Sequence, residues 1–169
     1  MVILVMGLPG SGKSYFAAKL SEAFDFAYIS SDVVRFRNGY RSRYGVNDKF
    51  EVYRLMLAMT EVELNKGKSV VVDATFYRKS LRQSFARLAA KMQTEIRYVL
   101  VAADPVLVRR RLSRERMYSE ADFGVYKLVE SEFQEVDEPH LALHSTDSNL
   151  DEMIDMATVY LRSFADVSR

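Results

Sequence analysis

The sequence lacks cysteine altogether and contains only two histidines among its 169 residues. The absence of cysteine excludes disulfide bonds and thiolate metal sites, and the scarcity of histidine argues against a zinc centre. No apolar run approaches the roughly 18 residues that a membrane-spanning helix needs. The apolar start, Met1 to Met6, has no charged leader and ends at Gly7, which is too early for a signal peptide. We therefore expect a cytoplasmic protein without a membrane span.

Neither sign of charge dominates, because 24 lysines and arginines face 23 aspartates and glutamates, which gives a formal net charge of +1. A globally basic nucleic-acid-binding domain is therefore disfavoured, although a local basic groove is compatible with this balance. Hydrophobic residues make up 49% and charged residues 28% of the chain, which is typical of a globular fold. The length predicts a single domain over residues 1–169.

Short apolar runs alternate with segments of helical periodicity, a pattern typical of an α/β fold with a parallel sheet covered on both faces. Strands are predicted at residues 2–6, 26–29, 69–73, 96–102 and, with the weakest signal, 141–144. Helices are predicted at residues 13–24, 48–65, 78–92, 104–116 and 122–135, with a last helix after residue 148.

Local signals predict one loop and two helix caps. The turn residues and arginines of 35–48 predict an irregular segment. Asp48 with Glu51, and Ser148 with Asp151, have the spacing at which a side chain caps the start of a helix.

Residues 7–14 read GLPGSGKS and match the pattern G-x-x-x-x-G-K-[ST] between a predicted strand and a predicted helix. Such a loop turns successive backbone N–H groups inward around phosphates, and the following helix adds the positive end of its dipole. The Lys13 ammonium is expected at the β- and γ-phosphates, and the Ser14 hydroxyl at Mg²⁺. The predicted phosphate-binding residues are Gly7, Leu8, Pro9, Gly10, Ser11, Gly12, Lys13 and Ser14.

Several classes of nucleotide-binding protein share this loop, and the rest of the chain discriminates among them. A GTPase would carry N-K-x-D, but residues 65–68 read NKGK and precede a strand rather than follow one. A remodelling ATPase usually has a glutamate after the aspartate of its third strand to activate water, whereas Asp73 is followed by Ala74. Transfer to an acceptor other than water is the better interpretation, with ATP as the default nucleotide.

Two aspartates follow predicted strands, at the edge where parallel sheets bind ligands. Asp32 can accept the proton of an acceptor hydroxyl or orient it for attack, and Arg35 can hold the acceptor or the transferred group. The alternative is that Asp32 merely caps a short helix. Asp73 ends the strand VVVD and, with Ser14, is the predicted ligand set for Mg²⁺.

The helix predicted after the fourth strand is rich in arginine, whose guanidinium matches phosphate oxygens well. Such a helix suits a lid over the nucleotide, although one helix face cannot present all of its arginines, so at least two are expected in solvent. The arginines are Arg109, Arg110, Arg111, Arg114 and Arg116.

These motifs together resemble the small P-loop, AAA-type kinases related to the 5′-kinase module of polynucleotide kinase, and more distantly the zeta-toxin and gluconate kinases. The matching stretches are GLPGSGKS at 7–14, SSDVVR at 30–35, VVVDATFYR at 70–78, DPVLVRRRLSRER at 104–116 and EPHLALHST at 138–146.

The resemblance implies a three-layer P-loop NTPase sandwich whose five parallel strands lie in the order 2-3-1-4-5. It also implies Asp32 as the base, Arg35 as an acceptor contact and a mobile lid over about 104–136. Lids of this family often read R-L-x-x-R, and among the arginines here the resemblance favours Arg114 as the one that enters the site. Lys13, Asp32, Arg35 and Arg114 are thus the expected catalytic residues.

The acceptor is left open by the sequence. A polynucleotide 5′-hydroxyl is one candidate, because Arg37, Arg41 and Arg43 lie near Tyr40 and Tyr44, and such residues can follow a phosphate backbone and stack on bases. A small metabolite is the other candidate. A nucleotide-dependent switch or ATPase without acceptor chemistry is an alternative from another class. The oligomeric state is not readable.

Lys13→Ala should abolish turnover while leaving the fold intact, because the ammonium is expected to contact only phosphates. Nucleotide binding and circular dichroism check this, with Lys19→Ala in the same predicted helix as the control. Near-normal turnover in Lys13→Ala would contradict the assignment of the loop.

Overall fold

The computed structural model describes residues 1–40, 45–113 and 121–163, except the side chain of Val46. A five-stranded parallel sheet has the strand order β2-β3-β1-β4-β5, which confirms the predicted architecture. The strands are β1 (Val2–Met6), β2 (Ala27–Ser30), β3 (Val70–Asp73), β4 (Ile96–Ala103) and β5 (Leu141–Ser145). The helices are α1 (Lys13–Phe24), α2 (Ser31–Arg37), α3 (Val46–Asn65), α4 (Lys79–Lys91), α5 (Pro105–Leu112), α6 (Phe123–Glu132) and α7 (Leu150–Arg162).

The central strand β1 divides its side chains between two cores, since successive residues of a strand point to opposite faces. Val2, Leu4 and Met6 pack into one core with residues of α3 and α4. Ile3 and Val5 pack into the other with residues of α1 and α7. Every residue of β1 is fully buried, which explains why the strand reads as a continuous apolar run rather than an alternating one.

The register of the parallel strands brings three of their carboxyl ends together. Val5 and Ser30 each pair with Asp73. The segments that follow these strands, beginning at Gly7, Ser31 and Ala74, therefore start side by side at one edge of the sheet. No helix in the described ranges has both the length and the apolar character that crossing a membrane requires.

Part of the predicted loop over 35–48 is wrong, because α2 runs to Arg37. The helix buries Val34 and ends where the Asn38 amide and side chain both donate to the Val34 carbonyl. Gly39 follows with φ +72° and lets the chain reverse.

Both predicted side-chain caps are wrong. Helix α3 begins at Val46, two residues before Asp48, with Gly45 at its N-cap and no side-chain cap bond. Helix α7 has Asn149 at its N-cap, also without a side-chain cap bond. The Asn149 side chain instead accepts from the Thr146 amide and donates to the His144 carbonyl, so it ties the turn to β5.

A fully buried arginine fastens the segment between α6 and β5 to the sheet. Arg82 on α4 donates to Glu138, with Nε 3.1 and 3.2 Å from the two carboxylate oxygens. Its Nη1 and Nη2 donate to the carbonyls of Phe76, Gln134 and Glu135, at 3.2, 3.4 and 2.6 Å. Five hydrogen bonds from one guanidinium thus hold the loop after β3 and the segment before β5 in one arrangement.

Arg82→Met should destabilise the protein by about 3–5 kcal/mol, because it leaves a carboxylate and several carbonyls without their partner. Urea denaturation measures the change. The matched control is Arg87→Met, since Arg87 is exposed on the same helix and bonds only Ser84 in the described chain, and it should stay within about 0.5 kcal/mol. Equal effects in the two variants would contradict this account.

Candidate active site

The loop from Gly7 to Gly12 joins β1 to α1 as the sequence predicts. Gly7 has φ +147°, and a Cβ there would lie 2.2 Å from the Val101 carbonyl oxygen, so only glycine fits against β4. Gly12 has φ +88° and forms the N-cap of α1, which has neither a side-chain cap bond nor an acidic residue in its first turn. The amide end of α1 therefore faces the loop as a positively polarised anion site.

Arg111 contacts the back of this loop, a role for which no sequence signal distinguished it from the other arginines. Its Nη1 donates to the Ser145 hydroxyl at 2.8 Å and to the Gly10 carbonyl at 3.4 Å, and its Nη2 donates to the Thr146 carbonyl at 2.8 Å. The Ser145 hydroxyl in turn donates to the Ser11 carbonyl at 2.6 Å. These bonds tie the loop to α5 and to the end of β5.

The two preceding arginines of α5 have other contacts. The Arg109 guanidinium lies 4.4 Å from the centre of the Phe123 ring, and Arg110 forms an ion pair with Asp147. Both side chains are exposed, as expected for at least two arginines of this helix. Arg114, the predicted lid arginine, and Arg116 lie outside the described residues.

Asp73 is 1% exposed at the end of β3. The Tyr28 hydroxyl donates to its Oδ2 at 2.9 Å and approaches the Ser14 carbonyl at 3.4 Å. Burial raises the pKa of the Asp73 carboxyl above its usual range, while nearby Lys13 and Ser14 oppose that shift. Burial and the Asp73 charge also raise the pKa of the Tyr28 phenol, so it stays protonated and donates.

These residues fit a divalent cation. Asp73 Oδ1 is buried and has no hydrogen-bond partner among the described residues, and an unpaired buried carboxylate oxygen is costly unless a ligand takes it. No group of three aspartates, glutamates, histidines or cysteines lies together in the ranges that the structure describes. A cation here would resemble Mg²⁺ in P-loop sites, which uses few protein ligands and otherwise phosphate oxygens and water.

A single cavity of about 590 Å³ joins the loop to α2. Its lining includes Lys13 and Ser14 at one end and Asp32 and Arg35 on α2. The structure thus brings these predicted residues to one cavity. Arg37, at the end of α2, is exposed and is not among the lining residues, and Arg41 and Arg43 lie outside the described part of the chain.

The far end of the cavity has aromatic, aliphatic and cationic walls that the sequence did not single out. Tyr53 is buried, and its hydroxyl accepts from the Phe76 amide at 3.2 Å; burial raises the pKa of Tyr53 to about 12. The Lys49 ammonium lies 5.4 Å from the centre of the Tyr77 ring. Val125, Leu128 and Val129 of α6 complete this end.

The model AAA_33, described as an AAA domain, matches residues 2–136.

Solved structures with the same fold include three kinases. A sugar kinase from Janibacter sp. HTCC2649 has 14% identity and a TM-score of 0.73, over 95% of this chain and 94% of that chain. A gluconokinase from Sinorhizobium meliloti 1021 has 19% identity and a TM-score of 0.70, over 98% and 93%. The APS kinase CysC of Mycobacterium tuberculosis, in complex with AMPPNP and APS, has 20% identity and a TM-score of 0.68, over 93% and 96%.

At these identities the likeness shows the fold, which is that of P-loop kinases. The predicted fold class is therefore confirmed. The narrower resemblance to polynucleotide kinase stays a prediction, as do the roles of Lys13, Asp32, Arg35 and Arg114.

Asp73→Asn should remove Mg²⁺-dependent activity yet raise the Tm of the ligand-free protein. Because burial raises the folded pKa of Asp73, ionisation penalises the native state. The parent's stability should fall as pH rises from the unfolded value of about 3.9 through the raised folded value. Asparagine removes this penalty, and each kcal/mol relieved corresponds to about 2–4 °C.

Thermal denaturation across a pH series measures the effect, with the exposed Asp155→Asn as the control. A Tm of Asp73→Asn below that of the parent at neutral pH would contradict the penalty.

Proposed function

The chain belongs to the AAA_33 family of AAA domains, and on this basis we propose that it is an ATP-dependent phosphotransferase acting on a hydroxyl group. The observation that carries the proposal is the single cavity that holds a phosphate loop at one end and a carboxylate with an arginine beyond it. Lys13 and Ser14 line the first part, and Asp32 and Arg35 line the second.

The nucleotide half follows from the charges around the loop. The backbone amides of the loop and the start of α1 bind the phosphates, and Lys13 neutralises the β- and γ-oxygens. Ser14 and Asp73 would hold Mg²⁺, which supplies charge neutralisation on the phosphates when bound. The AMPPNP in the similar APS kinase supports ATP as the nucleotide. A second cavity of about 410 Å³, lined by Tyr15 and Arg111 among others, adjoins the loop and suits the adenine ring of ATP.

The transfer step places Asp32 beside the acceptor. Its carboxylate takes the proton of the acceptor hydroxyl as the acceptor oxygen forms a bond to the γ-phosphorus. The bond between that phosphorus and the β–γ bridging oxygen breaks, and ADP leaves. Arg35 binds the acceptor or the transferred phosphoryl group, and Arg114 is the arginine that we propose for the lid.

The far end of the cavity favours an acceptor with an anionic group over a neutral polyol. Arg35 and Lys49 supply positive charge there, while Asp32 supplies the negative charge of the described lining. Tyr53 and Tyr77 add aromatic lining to this part of the cavity, with each side chain 7% exposed. These features support a polynucleotide 5′-hydroxyl, with only the terminal nucleotide entering. A small metabolite is the second candidate, because a cavity of about 590 Å³ has the size of a small-molecule site.

Asp32→Asn should keep ATP binding and lower phosphoryl transfer by about 10²–10⁴-fold, because the amide preserves shape but cannot accept a proton. Transfer from γ-labelled ATP and binding of a fluorescent ATP analogue are measured in parallel. Asp25→Asn is the control, since Asp25 is exposed and its left-handed backbone suits asparagine. A loss of ATP affinity as large as the loss of rate would contradict the role of Asp32 as the base. The alternative that Asp32 caps a short helix is wrong, because Ser30 is the N-cap of α2, which has no side-chain cap bond.

The acceptor is tested with a 5′-hydroxyl oligonucleotide, adenosine, gluconate and a hexose under the same conditions. Label in the oligonucleotide supports the first candidate, and label in gluconate or the hexose alone supports the second. Release of labelled phosphate with no acceptor labelled would overturn the transferase in favour of an ATPase or switch.

A further inference from the structure

Tyr28 projects from β2 toward the helix α1, a placement that packing does not explain. Its pairing partner is Val71, and two residues later Ser30 pairs with Asp73. Val71 packs in the core on the face covered by α1, and its pairing partner Tyr28 lies on the same face. Asp73 lies on this face as well, since side chains two apart on a strand share a face. Tyr28 is 36% exposed, and neither large core includes it.

The hydroxyl group is the part of Tyr28 with a defined partner. It donates to Asp73 Oδ2 at 2.9 Å, whereas Asp73 Oδ1 is buried without a partner in the described chain. The terminal torsion of a carboxylate is broad and nearly two-fold, so the two oxygens exchange places readily unless one of them is held. The hydrogen bond from Tyr28 holds Oδ2 in place and thereby fixes Oδ1 in a position where it can accept a ligand.

We propose that Tyr28 is a positioning residue for the divalent-cation site. This role rests on the proposed function in one respect, because it requires that the protein binds a Mg²⁺–nucleotide complex. Its hydroxyl fixes the Asp73 carboxylate so that Oδ1 stays directed to the cation or to a water bound to it. The same hydroxyl lies 3.4 Å from the Ser14 carbonyl, so it sits beside the start of α1, which bears the other predicted ligand. Hydrogen bonds to metal-binding carboxylates commonly set cation affinity in this way.

Tyr28→Phe removes the hydroxyl and keeps the ring. The Mg²⁺ concentration for half-maximal enhancement of fluorescent ATP analogue binding should rise about tenfold, the lower end of the usual range for such partners. Analogue binding in EDTA should stay unchanged, because the phosphate loop is intact. Electron paramagnetic resonance of Mn²⁺ with ATP gives a second measure of cation affinity. Phosphoryl transfer should recover at high Mg²⁺.

Tyr160→Phe is the matched control, since it removes a half-buried phenolic hydroxyl on α7 and should leave the Mg²⁺ dependence as in the parent. An unchanged Mg²⁺ dependence in Tyr28→Phe, with Asp73→Asn having lost it, would overturn the role of Tyr28. A loss of binding in EDTA would also overturn it, because Tyr28 would then act on the phosphate loop. Failure to label any acceptor would count against the transferase alone, since cation and nucleotide binding are read separately.

Discussion

The parallel register at the carboxyl edge of the sheet is the constraint on which the site depends. Because Val5 and Ser30 both pair with Asp73, the phosphate loop, α2 and the segment after β3 must begin within a few ångströms of one another. The positive end of α1 then faces the same space as Asp32 on α2. Groups of opposite charge are thus held apart by backbone geometry rather than by contact, and an anionic ligand can enter between them.

The burial of Asp73 at this edge of the sheet bears directly on the proposed cation binding. A buried carboxylate with one oxygen unpaired among the described residues is unfavourable in the native state, and its raised pKa expresses that cost. A cation that coordinated this oxygen, as proposed, would relieve the cost and gain affinity from it. Lys13 lies close enough to lower the penalty, so the ligand-free protein tolerates the arrangement. The stability of the ligand-free protein and the proposed cation binding therefore place opposite demands on this residue.

Local signals were sufficient to predict the strands and the phosphate loop, because a loop between a buried strand and a helix has a recognisable pattern of consecutive residues. The strand order came with the family resemblance. The contact of Tyr28 with Asp73 spans 45 positions and depends on which strands are neighbours, so no spacing rule reveals it. The failed caps have a similar origin: Asn149 is drawn to β5 by tertiary hydrogen bonds, which local capping patterns do not include.

The bonds of Arg111 link the phosphate loop to the arginine-rich helix that the sequence marked as a lid. Its guanidinium contacts the Gly10 carbonyl, the Ser145 hydroxyl and the Thr146 carbonyl, and Ser145 continues the chain to Ser11. The Gly10 and Ser11 carbonyls thus accept hydrogen bonds from Arg111 and Ser145, on the side of the loop that faces α5 and β5. The same residue lines both cavities, so a movement of α5 would alter the loop and both cavities together. Arg111 therefore couples the helix proposed to cover the nucleotide to the backbone proposed to bind its phosphates.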